Sequence, residues 1–128
     1  MNRTFFILYI IIVLIQIGLD PNIKDCKHKL GVVLIVGHHL LQWYFFIGSF
    51  VFGHHNFHMK LVIVAFFVHL LYRICPLTIV HNRICGMEEK KPLITLLNHI
   101  FTKKVIVVYY FMIISVIIYD YIIINKWI

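Results

Sequence analysis

"LGVVLIVGHHLLQWYFFIGSFVF", residues 30–52, is long and apolar enough to set the kind of fold this chain can adopt. It runs 23 residues without a charged side chain, and His38, His39 and Gln42 are its main polar interruptions. A helix needs about 20 residues to cross the hydrocarbon core of a bilayer, with a working range of roughly 17–25. This stretch meets that length alone. Outward from it, residues 61–80, the third run in chain order, span 20 residues and carry His69, Arg73 and Pro76. Residues 105–124 form the fourth, with Asp120 near its end, and residues 5–19 form the first, a shorter, uncharged run of 15. The short run reads as a first membrane helix rather than a cleaved signal peptide, because no A-x-A-like cleavage site follows it; its flanks, or a thinned bilayer, let it span.

Composition agrees. The chain has 128 residues, of which 62% are apolar and 13% charged, whereas soluble domains average about 45–50% apolar and about 25% charged. A soluble fold of this size could not bury so much apolar surface. The formal charge of +7 would raise nucleic acid as a partner in a soluble protein. Here the charges sit in short loops between apolar runs, so they bear on topology, and no nucleic-acid partner is expected. Lys24, Lys27 and Lys29 lie in the 20–29 loop, and Arg83, Lys90, Lys91, Lys103 and Lys104 in the 81–104 loop, against Arg3, Lys60 and Lys126 on the opposite side. Eight against three predicts both basic loops on the cytoplasmic face with the termini opposite.

These runs predict an all-α, polytopic membrane protein: a single membrane domain over 1–128, a four-transmembrane-helix bundle with helices at about 4–20, 30–52, 59–80 and 104–125. Between the last two, Pro92 begins an apolar 3–4 repeat (Leu93, Leu96, Leu97, Ile100) followed by Lys103 and Lys104. That pattern predicts a short interfacial helix at about 92–101.

Inside lipid, apolar helices have no hydrophobic drive to associate, so small residues and interhelical hydrogen bonds must hold them. In the 30–52 run, His38, Gln42, Phe45 and Ser49 share a face. Gln16 and Asp20 share a face of the first run, His69 and Arg73 of the third, and Ser115 serves the fourth. Turned inward, Gln16, Asp20, His38, Gln42, Ser49, His69, Arg73 and Ser115 predict a polar seam. Asp20 and Arg73 end their runs on the same side and could pair. Arg73, one turn from the interface, can also snorkel.

The nine histidines raise cofactors. His38 or His39 facing His69 on an antiparallel neighbour could hold b-type haem, although the first and fourth runs contain no histidine for a second pair. His54, His55 and His58 in "GHHNFH" could ligate zinc or copper, although no carboxylate or thiolate is near in sequence. Hydrogen-bonded structural histidines are the simpler reading, and no cofactor is expected; haem b or a transition metal is the alternative. The three cysteines, Cys26, Cys75 and Cys85, contain no CxxC and signal neither a zinc ribbon nor a disulfide scaffold. Cys75 near His81 lacks a third group to orient a nucleophile. With no recognisable catalytic motif, the expectation is a non-enzymatic structural or accessory subunit of a larger membrane assembly, respiratory-type or viral. Its partners would be the lipid bilayer and other membrane subunits or further copies of itself. A small channel or transporter using the polar seam, or a haem- or metal-binding protein, are the alternatives.

Cys75, Pro76, Leu77 and Thr78, followed by Ile79, Val80, His81 and Asn82, resemble the hallmark of a family of small bacterial membrane proteins of unknown function: Cys-Pro-Leu-Thr, two residues, then Glu-Asn. Asn82 matches and His81 stands where the glutamate would be. The order of residues from His39 to Gly48 is also similar, so the likeness covers roughly 38–86. It implies a multi-helix membrane fold and a built-in helix break at Cys75–Pro76, with freed carbonyls satisfied by Thr78, Asn82 or Arg73.

Overall fold

The structure, a computed structural model, describes residues 2–88 and 105–126. Among them every regular element is an α-helix: α1 (Arg3–Leu19), α2 (Pro21–Asp25), α3 (Lys29–Phe52), α4 (His55–Tyr72), α5 (Pro76–Ile84) and α6 (Val105–Ile124). Three of them, α3, α4 and α6, are long and apolar enough to cross a membrane. The interfacial helix expected at 92–101 lies outside the described residues.

Local chemistry places the ends. Asn2 caps α1 by accepting hydrogen bonds on Oδ1 from the Thr4 and Phe5 N–H groups, and so satisfies donors that helix geometry orphans. Asp20 stops α1 in an extended conformation and caps α2, whose first residue is Pro21. Gly53 (φ 72°) ends α3 in the left-handed region, with its N–H donating to the Ser49 carbonyl at 2.9 Å.

The third run differs most from expectation. A helix over 59–80 is instead two helices: α4 starts earlier, at His55, and stops at Tyr72, and α5 restarts at Pro76. The physical reason is Pro76, which disfavours helical backbone at Cys75; Cys75 is accordingly extended (φ −63°, ψ 129°). Arg73 takes the left-handed cap position at φ 59°. Thr78 and Ile79 donate their N–H groups back to the Cys75 carbonyl, so the break is hydrogen-bonded.

Helix α3 is the hub: α1, α4, α5 and α6 all pack on it, and α6 also packs along α4. Its N-terminal end meets α5, where His81 reaches the Gly31 carbonyl, and its middle and C-terminal half meet α1. The Asn2 N–H donates to the Val51 carbonyl at 2.9 Å, which pins the start of α1 to the end of α3, so the two helices run antiparallel. Tyr9, Val13, Trp43, Phe46, Val51, Val62 and Ile113 form the apolar core. What distinguishes the interior is its polarity. Gln16, Asp20, His39, His58, Asp120, His81 and Asn82 are almost completely buried, while Ile7, Leu14, Val33, Phe67, Leu71 and Phe111 stand on the surface. Water would not tolerate that inversion; a bilayer favours it.

Candidate functional site

The buried polar side chains gather into three clusters. In the first, Trp43 fixes a chain of assignments. Its indole Nε1–H can only donate, and it donates to Gln16 Oε1. The Gln16 amide nitrogen must then point the other way, donating to Gln42 Oε1 at 3.1 Å and to His39 Nδ1 at 2.7 Å. With Nδ1 accepting, the His39 proton sits on Nε2 and is donated to Asp20 Oδ2 at 2.8 Å. Asp20 Oδ1 accepts from both the backbone and the side-chain amide of Asn22, each at 2.9 Å. Every polar atom of Gln16, His39 and Asp20 is thus used inside the bundle, joining α1 to α3.

The second cluster sits at the other end of α3. Asp120 on α6 accepts from Nδ1 of His55 at 2.9 Å and meets Nδ1 of His58, both histidines on α4. Nε2 of His58 donates to the Tyr44 carbonyl at 2.9 Å, and Ser49 is buried beside the same carboxylate. A backbone carbonyl can only accept, so His58 Nε2 must be protonated. Its contact with Asp120 then also needs a hydrogen between Nδ1 and the carboxylate. This pair therefore carries one more proton than the His39–Asp20 pair, shared within the bundle.

The third cluster joins the 26–28 loop to α5. Cys26 and Cys85 form a disulfide, with Cα atoms 5.1 Å apart and 59 positions apart in sequence. Buried His81 donates Nδ1–H to the Gly31 carbonyl at 2.9 Å, and the same nitrogen lies 3.4 Å from Cys85 Sγ; its Nε2 is buried without a hydrogen-bond partner among the described residues. A Cβ on Gly31 would strike both sulfurs, so only glycine lets the bridge lie against the first turn of α3. Cys26, His81 and Cys85 offer ligand atoms all within 4.8 Å of one another. The expectation that the cysteines signal no disulfide is corrected here: tertiary folding, not spacing, brings Cys26 to Cys85.

Of the expected seam, Gln16, Asp20 and Gln42 join these networks, and Ser49 is buried beside the second with no hydrogen-bond partner for its hydroxyl among the described residues. His38 does not. It is half-buried, its ring edge against His39, because the buried stripe of α3 is Ile35, His39, Trp43, Phe46 and Ser49, and one residue of offset turns a side chain by about 100°. His69 stands apart, 3.2 Å from the Tyr110 hydroxyl with its ring by Tyr109. Arg73 is exposed at the α4 cap, and Asp20 pairs with His39 instead. Ser115 is exposed and donates to its own helix at Phe111. The freed backbone at Cys75 is met by the N–H groups that follow it, and Thr78 and Asn82 are buried against α3; Pro76 is exposed, Leu77 half-buried.

For haem, both ring nitrogens of His39 are already engaged, which leaves none for iron. For a metal at the His-rich turn, His54 is exposed while His55 and His58 are drawn to Asp120. The carboxylate missing from that neighbourhood in sequence arrives from α6. Sequence reasoning missed Asp120, His81 and the cysteine pair as site residues. For Asp120 the signal was present: it is the one ionisable acid or base inside residues 105–124. For the cysteines none was.

No protein-family model, curated protein or solved structure matches the chain.

Proposed function

We propose that this chain is a non-enzymatic integral membrane protein, an accessory or structural subunit of a larger membrane assembly, with α1 as a fourth crossing and the basic loops on the cytoplasmic face. The observation that carries this reading is the division of labour between inside and outside. The first polar network is satisfied internally and ties α1 to α3, so it serves cohesion and presents no substrate path. Meanwhile α4 and α6 leave most of their residues unburied, presenting broad faces to lipid and to neighbouring helices. Native electrophoresis of membranes solubilised in a mild detergent tests it. The chain is expected in a complex of fixed stoichiometry that disappears when its coding sequence is deleted. Migration as a lone protein, with every membrane complex intact after deletion, overturns the reading.

One observation favours a second reading, a small proton-coupled channel or transporter. The His58–Asp120 pair holds its extra proton in the bundle, and intramembrane Asp–His pairs serve as proton relays. Liposomes containing the purified protein and an internal pH dye would acidify in response to an imposed gradient, and Asp120→Asn would abolish the response. Impermeable vesicles remove this reading.

A further inference from the structure

We infer that Cys26, Cys85 and His81, with the disulfide reduced, form a three-ligand Zn2+ site at the cytoplasmic end of the bundle. The inference deepens the orientation proposed above and rests on it.

Three independent observations lead to it. The first is geometric: two sulfurs and one imidazole nitrogen already lie within 4.8 Å of one another, brought from a loop and from α5 by the packing of α5 on α3. The second is the placement of His81. It is fully buried, and its Nδ1, 2.9 Å from the Gly31 carbonyl, is the nitrogen that faces the bridge, 3.4 Å from Cys85 Sγ. Ligation through Nδ1 exchanges the Gly31 hydrogen bond for the ion and moves the ring proton to Nε2, which has no hydrogen-bond partner among the described residues. The third is the compartment. Eight of the eleven flanking basic residues mark this end as cytoplasmic, and cytosolic thiols are kept reduced. The same closeness that closes a disulfide in an oxidising compartment presents two thiols and an imidazole in a reducing one.

The chemistry balances. A small thiol reductant supplies two electrons and two protons, is itself oxidised to a disulfide, and cleaves the Cys26–Cys85 bond to two thiols. Zn2+ then displaces both thiol protons to solvent, giving a neutral bis-thiolate with neutral His81 as third ligand. The sulfurs separate to sit roughly 2.3 Å from the ion. Two features favour thiolates here: the N-terminal end of α3, whose dipole stabilises anions, and Lys27 and Lys29 beside Cys26 in sequence. Gly31 gives both sulfurs room. Thiolate and imidazole donors suit Zn2+ over hard cations. With three protein ligands the fourth position is left to water.

The full-length protein in detergent, reduced under anaerobic conditions, is titrated with Co2+ as a spectroscopic stand-in and then with Zn2+. Expected are sulfur-to-cobalt charge-transfer bands at one equivalent that vanish on adding Zn2+. They should be lost in Cys26→Ser and Cys85→Ser, and His81→Ala should weaken binding roughly tenfold or more. The unreduced protein should bind nothing. Circular dichroism confirms that each variant remains helical; Cys75→Ser, outside the cluster, should bind as the parent does. Absence of bands in the reduced protein, or bands that survive Cys85→Ser, overturns the site. A separate arm labels Cys26 and Cys85 in intact cells with a membrane-impermeant maleimide, in a Cys75→Ser background. Labelling only after permeabilisation supports the cytoplasmic placement. Labelling without permeabilisation after mild reduction overturns the orientation, and the metal role with it, even where the purified protein binds Co2+. A failed titration with inward-facing thiols overturns the metal site and leaves the orientation standing.

Discussion

Arg73 shows how much of this molecule turns on single backbone positions. It holds φ 59° at the end of α4 and is exposed, in a conformation that disfavours residues with a Cβ by about 1–2 kcal/mol. Its side chain makes none of the interior contacts that the sequence suggested for it. Arg73→Gly is therefore expected to leave the fold intact and to raise stability by up to about 1 kcal/mol, seen as a higher thermal midpoint in detergent. A drop would mean that the guanidinium matters more than the cap. Two residues on, Cys75 is the free cysteine among the described residues and is half-buried. Burial pushes its thiol pKa up, against opposing hydrogen bonds from the Leu77 and Thr78 backbone. A raised pKa means less thiolate at neutral pH, because the protonated form persists further upward. Alkylation of Cys75 should thus be slower than that of a free cysteine at pH 7. It should keep rising about tenfold per pH unit beyond the ordinary cysteine range near 8.5. A rate that levels off within that range would show an unshifted thiol. This residue was legible as a helix breaker's neighbour, since proline acts locally.

Between helices, the connection that matters is the Trp43–Gln16–His39–Asp20 chain. Gln16 is its junction, donating twice and accepting once. Gln16→Leu strands the Trp43 donor and His39 Nδ1 together, whereas Trp43→Phe strands only Gln16 Oε1. Each buried orphan costs roughly 1–3 kcal/mol, so Gln16→Leu is expected to lower unfolding stability in detergent more than Trp43→Phe does. Equal losses would show that the helices are not joined through Gln16. At this scale the sequence was partly readable. Gln16, Asp20, Gln42 and Ser49 stand out as polar residues in apolar runs, but the choice between His38 and His39 did not. Adjacent residues differ by about 100° around a helix, and composition alone does not say which way α3 faces. Only the packed partners, Gln16 and Asp20 from α1, select His39.

On the proposed four-crossing reading, helix lengths across the whole molecule meet bilayer thickness unevenly. α1 and α4, at 17 and 18 residues, reach about 26–27 Å, short of a hydrocarbon core of about 30 Å, while the 24 residues of α3 reach about 36 Å. Short and long helices packed side by side should suit a thin bilayer with α3 tilted. The protein is therefore expected to unfold at higher temperature in dimyristoyl than in dioleoyl phosphatidylcholine; the reverse order would show that the short helices do not span. The all-helical character was determined by sequence alone, because an apolar segment of spanning length has few ways to satisfy its backbone in lipid other than an internal helix. The break at Cys75–Pro76 was determined there too, since proline acts on its immediate neighbour. Tertiary structure alone decided the meeting of Cys26 with Cys85 and His81, and of Asp120 with His55 and His58. Those partners lie 55 or more positions apart in sequence, apart from His81 beside Cys85, and no local periodicity carries contact across such a distance. It is set by which helix faces pack on α3.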